Sequence, residues 1–475
     1  MIFTSLNFIA FFIATILVFY LIPSWRWKKI FLLLASYYYC LSFEPVCLLI
    51  LLFDTIIIYL YGKIKFNNNL QNRGGKTAFA ILLVLLPLVF YKYLNFISSF
   101  IVDICGLAHI QLSLPKFELL LPIGISFYTF QAIGYIVDVS KGKIQSEKNP
   151  LDLALFLGFF PQISAGPIGR APLLLPQIKE ERKPDYDNVV VGFKWILWGL
   201  FMKLVVGDRA GIYVDTVFPN YMHHSGLSLM MATFMYTIQI YCDFAGYSLV
   251  AIGCARCMGF ELMQNFMRPY FAVNVTDFWR RWHISLSTWF RDYVYIPLGG
   301  SREGEWKTYR NLMITFIVSG VWHGAAYNFI LWGVLHGLFQ VVGKLTASWK
   351  MKCWNALGVQ KESTIYKVVN VIITFCLVAY AWLIFKVTDM HAVWEITKGY
   401  FKSGSLYIHQ TTIFFFAIGF VILLFKDWKD EYMPEKHYFL YAKSSMMRYL
   451  SCVSLIVIIL LIGVLNGGQF IYFQF

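Results

Sequence analysis

Two histidines sit among residues whose types suit chemistry better than plain packing. In "TDFWRRWHISLSTWFRDYVYIPLGG", residues 276–300, His283 stands close to Arg280, Arg281, Ser287 and Arg291. In "VSGVWHGAAYNFILWGVLHG", residues 318–337, His323 follows Trp322 in an apolar run, with Gly320, Gly324, Ala325 and Ala326 around it and Asn328 shortly after. An imidazole is the side chain best matched to proton transfer near neutral pH. Planar guanidinium groups suit phosphates and carboxylates. Small residues beside His323 let another backbone or a thin ligand approach closely. From the residues alone, His323 is open to two readings: a satisfied helix–helix hydrogen bonder, or a general base. His336 falls on a different helix face at roughly 100° per residue and reads as structural.

These side chains must be held by regular elements. Over 276–295 the spacing predicts one helix. Phe278, Trp279, Trp282, Leu286, Trp289, Phe290 and Tyr293 form a broad aromatic face, and Arg280, Ser287 and Arg291 gather on another with His283 at its border. Asp277 and Arg281 make an i,i+4 pair of the stabilising orientation, and Pro297 with Gly299-Gly300 ends the segment. Such a helix either lies in a membrane interface or lines a wet cavity in which its arginines hold an anionic group. "YTIQIYCDFAGYSLVAIG", residues 236–253, puts Gln239 and Asp243 on one face of a span. A carboxylate at membrane depth needs a partner, and Arg280 and Arg291 are the candidates. "FFPQISAGPIGR", residues 159–170, carries Gln162 and Arg170 in a Pro/Gly-broken apolar stretch. It suits a re-entrant loop buried in protein or lining a cavity.

Composition sets the solvent. Of 475 residues, 59% are hydrophobic and 19% aromatic, and only 14% are charged, against roughly 25% charged in soluble domains. Runs such as "SLNFIAFFIATILVFYLI", "IYKVVNVIITFCLVAYAWLIF" and "YLSCVSLIVIILLIGVL" are long enough to cross a hydrocarbon core of about 30 Å. The chain is expected to be an all-α polytopic membrane protein with roughly 11–13 membrane segments, some of them re-entrant. The first run lacks a basic leader and a small-residue cleavage site, so it reads as a retained helix. Residues 1–475 are expected to form a single transmembrane domain. In it, 1–110 and 360–466 are plain spans, 115–340 is the polar catalytic core, and 467–475 is an aromatic tail.

The net charge of +14 belongs to loop clusters such as "WRWKK" and "SWKMK", which favour the cytoplasmic side. No basic patch lies outside that membrane setting, so nucleic-acid binding is excluded. The nine cysteines are mostly scattered as small buried hydrophobes. Cys254 and Cys257 lack the further ligands that a metal site requires, and no metal is expected. The tail "LNGGQFIYFQF" reads, on composition, as an aromatic anchor at the membrane interface.

In this order, "DFWRRWHISLSTWFRDYVYIPLGG" and "GVWHGAAYNFILWGVLHG" resemble the two hallmark blocks of the membrane-bound O-acyltransferases. "GISFYTFQAIGYIVDV", "FFPQISAGPIGR", "IQIYCDFAGYSLVAIG" and "NFMRPYFAVNVTDFW" resemble further blocks of the bacterial polysaccharide branch, and the likeness runs the length of the chain. That branch includes alginate, cellulose and peptidoglycan O-acetyltransferase membrane subunits and, more distantly, teichoic-acid D-alanyl transferases. One departure is Ala245 and Leu249, where the branch usually has Ser and a second Asp.

The resemblance implies a ring of tilted helices around a thin centre, with a tunnel from the cytoplasm to a catalytic histidine. His323 matches that histidine, and His283 matches the second hallmark. It further implies a bacterial plasma (inner) membrane location and acetyl-CoA as a thioester donor, with no bound cofactor. Arg280, Arg281 and Arg291 would lie near the donor, and His283 or Asn328 would orient the acceptor or stabilise an oxyanion. Trp322, Ser287, Asp243 and Gln239 complete the expected substrate-binding set. Partners would be an SGNH-hydrolase-like acetyltransferase outside the membrane, the polysaccharide synthesis machinery and membrane lipids. "FIYFQF" resembles the acyl-accepting tail of the teichoic-acid system, which makes Tyr472 a candidate transient acyl acceptor. The alternatives are transfer of D-alanine from a carrier protein or, less in keeping with the pattern, a transporter. A transporter should show repeat symmetry or paired broken helices, and none is seen.

Overall fold

The computed structural model describes residues 1–64, 70–117, 119–164, 166–465 and 470–471, and no strand occurs among them. Eight of its helices are long and apolar enough to cross a bilayer: Pro45–Lys63, Gly74–Leu107, Tyr186–Val217, Gly226–Cys257, Tyr327–Leu345, Thr364–Lys386, Gln410–Tyr432 and Ser445–Ile462. Leu6–Leu21 is apolar but shorter. The window count of the sequence is higher for two physical reasons. Gly and Pro cut some apolar windows into short helices, such as Pro150–Gly158 and Phe160–Ile163. Elsewhere two windows merge: the helix runs on from residue 74 to 107 through a π turn at Val89–Tyr93, just after Pro87. Proline removes an intrahelical hydrogen bond, and a π turn absorbs the local mismatch.

Membrane helices should turn an apolar face outward, because lipid is itself apolar. Along Pro45–Lys63, Leu49, Phe53, Ile56 and Leu60 are exposed at helical spacing, while Ile50, Asp54, Ile57, Ile58 and Tyr61 are buried. Val453, Val457, Leu460 and Leu461 repeat the pattern on Ser445–Ile462. The protein is therefore a multi-pass membrane protein.

The chain divides into two compact units, residues 1–196 with 251–263, and residues 197–250 with 264–475. In the first, the broken stretch predicted as re-entrant is buried and hydrogen-bonded by neighbouring side chains. Ser36 Oγ accepts from the Phe160 amide at 3.1 Å, and Tyr39 Oη donates to Ser164 Oγ at 3.0 Å. Gln162 is buried, and with Arg170 it lines a small cavity of about 230 Å³. Lys29 and Asp152 form a buried ion pair beside this stretch's leading helix.

The second unit holds residues 197–250 and 264–340 of the polar middle. Its core is built on Trp282, Trp332 and Trp382, all fully buried. The helices Glu305–His323 and Tyr327–Leu345 form a hairpin joined by Gly324-Ala325-Ala326. The two backbones come so close that a Cβ on Gly320 would lie 2.3 Å from the Phe329 carbonyl oxygen, and one on Gly333 2.4 Å from that of Phe316. Only glycine allows this approach, and lipid-embedded helices gain most of their attraction from such packing.

Candidate active site

His323 is the last residue of Glu305–His323, at the tip of the glycine-packed hairpin. Its ring lies 4.8 Å from that of Trp322, 4.9 Å from Trp332 and 5.3 Å from Phe385. Aromatic pairs of this kind contribute about 0.5–1.5 kcal/mol each beyond the area they bury, so the imidazole is held in one orientation. The last turn of a helix favours positive charge, which suits a group that takes up a proton. Asn328 fixes the far wall, because its Nδ2 donates to the carbonyls of Ile384 (3.2 Å) and Phe385 (3.1 Å). These two bonds tie Asn328 to the backbone of Ile384 and Phe385, beside His323.

The predicted single helix over 276–295 is broken. Helices Val275–Arg281 and Ile284–Phe290 are separated at Trp282-His283, and His283 has the left-handed backbone φ 40°, ψ 56°. The cause is a neighbouring loop that pairs with the break. The Met267 amide donates to the Arg281 carbonyl, and the Ile284 amide donates to the Asn265 carbonyl, each at 2.9 Å. Asn265 Oδ1 also accepts from Ser285 Oγ (2.6 Å) and the Ser285 amide (3.3 Å), and it lies 3.3 Å from His283 Nδ1. A backbone N–H can only donate, so this atom is an oxygen and His283 Nδ1 carries the hydrogen. The lone pair is then on Nε2. His283 is completely buried, and burial pushes its imidazole down to about 3, so it is neutral at physiological pH.

Trp322 lies between the two histidines, 6.4 Å from the ring of His283 and 4.8 Å from that of His323. From His283 the aromatic run continues to Phe244 at 4.6 Å and from there to Phe470 at 5.6 Å. Phe470 stacks on Tyr247 at 4.6 Å, and the Ile471 amide donates to Asp243 Oδ2 at 2.7 Å. Phe470 and Ile471 are buried, at 0% and 3% exposure. Tyr472, Gly467 and Gly468 lie outside the described residues.

Asp243 pairs with Lys203, not with Arg280 or Arg291, and Lys203 Nζ also donates to Asp208 Oδ1 at 2.6 Å. All three side chains are buried. Lys203 stands in a π turn, Met202–Gly207, of the kind often found at functional sites. It comes near Asp243 because Gly199 and Gly246 let their helices touch; a Cβ on either would sit within 2.6 Å of the other's carbonyl oxygen. Gln239 packs its amide against Gly211.

The arginines separate into two groups. Arg280, Ser287 and Arg291 share a cavity of about 550 Å³ with Trp279, Lys344 and Ser319. Arg280 has no carboxylate within ion-pair distance among the described residues, and Arg291 meets only the adjacent Asp292, at 2.9 Å on the surface. Arg281 points elsewhere, bound to Asp277 at 3.0 Å and to Glu431 at 2.8 Å. The expected i,i+4 pair thus forms, but it takes Arg281 away from the other two. Phe290 lines the cavity and touches Trp322 at 6.4 Å, so the cationic cavity and the His323 cage share a wall. His336 accepts a hydrogen bond from Trp279 Nε1 at 3.2 Å and is packed all round by aromatic rings, which is the structural role expected of it.

Lys203, Asp208, Asn265 and Lys344 were not singled out from the sequence. Lys203 had a legible signal, as a lone cation inside the apolar run "WILWGLFMKLVVG", where charge is costly and usually paired. Asn265 opens the block "NFMRPYFAVNVTDFW" and Lys344 lies in the last turn of Tyr327–Leu345, but only the fold brings them to the histidines and the arginines.

Comparison with known proteins shows the family. Residues 139–385 match the model of the membrane-bound O-acyltransferase family. The chain is 34% identical over 415 residues to the probable alginate O-acetylase of Pseudomonas aeruginosa, covering 85% of this chain and 76% of that protein. It is 33% identical over 405 residues to the peptidoglycan O-acetyltransferase of Helicobacter pylori, covering 78% and 73%. To the teichoic acid D-alanyltransferase of Bacillus subtilis it is 29% identical over 344 residues, covering 70% and 83%. The family match spans both histidines, the aromatic cage and the arginine cavity. This multi-pass membrane enzyme is an acyltransferase and belongs to the membrane-bound O-acyltransferase family.

Proposed function

We propose that the enzyme takes an acetyl group from cytoplasmic acetyl-CoA and passes it across the bacterial plasma (inner) membrane for O-acetylation of an extracytoplasmic polysaccharide. His323 is the general base and Tyr472 the transient acyl carrier. The observation that carries this reading is the aromatic run from His323 through Trp322, His283 and Phe244 to the buried Phe470. It links the described end of the tail to the histidine through contiguous rings. The cavity bearing Arg280, Arg291 and Lys344 supplies cations suited to the donor's phosphates, one aromatic wall away from His323.

In the proposed first step His323 removes the phenol proton as the phenolate oxygen attacks the thioester carbonyl. The C–S bond breaks, the thiolate leaves with the proton that His323 returns, and an aryl acetate remains on Tyr472. A hydroxyl acceptor outside the membrane then attacks that ester and regenerates the phenol. Help from a general base is typically worth about 10² to 10⁴ in rate. Neutral His283, with its lone pair on Nε2, orients the incoming acceptor. A carrier on the chain itself removes the need for a polymer to enter a cage closed by Trp322, Trp332 and Phe385. The second transfer belongs to an extracytoplasmic SGNH-hydrolase-like partner working with the polysaccharide synthesis machinery.

Acetyl is favoured over D-alanyl because the alginate and peptidoglycan relatives are nearer in identity (34% and 33%) than the D-alanyl transferase (29%). The purified enzyme in lipid should release free thiol from acetyl-CoA when acceptor is supplied, and His323→Ala should abolish this while remaining folded. Full turnover by His323→Ala defeats the assignment of the base. Turnover with an alanyl carrier protein but not with acetyl-CoA would change the donor.

A further inference from the structure

We infer that Asp243 is a positioning residue, a latch that holds the 470–471 stretch inside the protein. Its two carboxylate oxygens face different partners: Oδ1 meets Lys203, and Oδ2 accepts the Ile471 amide at 2.7 Å. A buried backbone N–H must find an acceptor. Among the described residues the acceptor for Ile471 is a side chain from the middle of the helix Gly226–Cys257, not a neighbouring strand or turn.

The rest of the hold is the stack of Phe470 on Tyr247 and its edge contact with Phe244. Upstream, the chain is pinned where it leaves its last helix. Arg209 donates to the Ile462 carbonyl, and the Val464 amide donates to the Leu204 carbonyl at 2.9 Å. The segment is thus fastened near Val464 and again at Ile471.

The chemistry explains why an aspartate occupies this position. A carboxylate offers acceptors in two directions at once, so Asp243 can serve the ammonium of Lys203 and the Ile471 amide together. Lys203, shared with Asp208, offsets the cost of a charge in the membrane interior. One charge-assisted hydrogen bond and one ring stack make a firm but reversible hold. Losing such a bond shifts a docked-to-free ratio by roughly ten-fold or more. A hold of this strength suits a segment that must stay in register with the histidines and still be able to leave. That purpose rests on the relay proposed for Tyr472; the latch itself does not.

The experiment places a photoreactive benzoylphenylalanine at Phe470 in the full-length protein in lipid and measures its cross-linking to the peptide containing Phe244 and Tyr247. Asp243→Ala and Ile471→Pro should each lower the cross-linked fraction about ten-fold. Ile471→Pro removes the donor N–H without touching the side chains of the Lys203–Asp208–Asp243 cluster, so it carries the test if Asp243→Ala fails to fold. Ile471→Val, which keeps the N–H, should cross-link as the parent does. The double variant should be no worse than either single one. In acetyl transfer, Asp243→Ala should lower kcat with an unchanged KM for the donor. Unchanged cross-linking in Ile471→Pro overturns the latch. Tyr472→Phe keeps the latch, so normal cross-linking with undiminished transfer in that variant sinks the relay alone.

Discussion

Asn265→Ala is the most informative small change in this protein. Asn265 Oδ1 accepts from the Ser285 hydroxyl (2.6 Å), the Ser285 amide (3.3 Å) and His283 Nδ1–H (3.3 Å), and all of these groups are buried. Alanine takes this acceptor away from two N–H donors and a hydroxyl that can rotate. At about 1–3 kcal/mol for each buried N–H bond lost, the expected loss of stability is about 2–6 kcal/mol. The loss falls on a residue already in a strained backbone, since His283 has φ 40°, a region that costs a non-glycine residue roughly 1–2 kcal/mol. Ser285→Ala removes only the hydroxyl bond and should cost about 1 kcal/mol. Unfolding in detergent followed by tryptophan fluorescence measures both, because Trp282 and Trp322 flank His283. Asn265→Ala should also lower kcat, since the tautomer and aim of His283 are no longer fixed, while Ser285→Ala stays near the parent rate. If the two variants lose equal stability and equal activity, Asn265 does not hold His283, and the assignment of the lone pair to Nε2 falls with it.

Three further outcomes follow from the same geometry. Burial holds the folded His283 near 3 against an ordinary value of 6.5, so below pH 6.5 the unfolded chain takes up a proton that the folded one does not. Stability should therefore fall as pH drops from 6.5 toward 3, by about 2 kcal/mol at pH 5, and a pH series of melts on His283→Gln should show a flatter slope. Gly320→Ala would put a methyl group 2.3 Å from the Phe329 carbonyl oxygen; the hairpin must part, at roughly 1–3 kcal/mol of overpacking, and thiol release should drop although His323 is untouched. Arg280→Glu combined with Lys344→Glu should raise KM for acetyl-CoA at least ten-fold with a smaller change in kcat, whereas Arg281→Gln, which breaks the contacts with Asp277 and Glu431, should lower stability and leave donor KM unchanged.

Much of the molecule was legible because the membrane imposes simple rules. Long apolar runs became helices, whereas the neighbours of His323 left its role open, and only the family resemblance singled out His283 and His323 as candidates. Arg280, Ser287 and Arg291 were grouped by helical periodicity and do line one cavity, although the helix that suggested it is broken at His283. What could not be read was long-range pairing. The break depends on a loop that brings Asn265 to His283 and Ser285. Asp243 chose Lys203, forty residues earlier in the chain, because Gly199 and Gly246 allow their helices to touch. No periodic signal encodes either event. The aromatic stretch after residue 467 also read, by composition, as an interfacial anchor, yet Phe470 and Ile471 are buried against the helix that carries Asp243. Side chains that are apolar enough for a membrane surface are equally suited to a protein interior, and only position separates the two.

The central claim is that acetyl passes through the phenol of Tyr472 under the control of His323. Isotope-labelled acetyl-CoA, supplied to the protein in lipid without any downstream partner, followed by mass spectrometry of the 465–475 peptide, tests it directly. The account predicts a labelled acetyl group on Tyr472 that is lost in His323→Ala and discharged when a hydroxyl acceptor is added. An unmodified Tyr472 in a preparation that still transfers acetyl at full rate would contradict it.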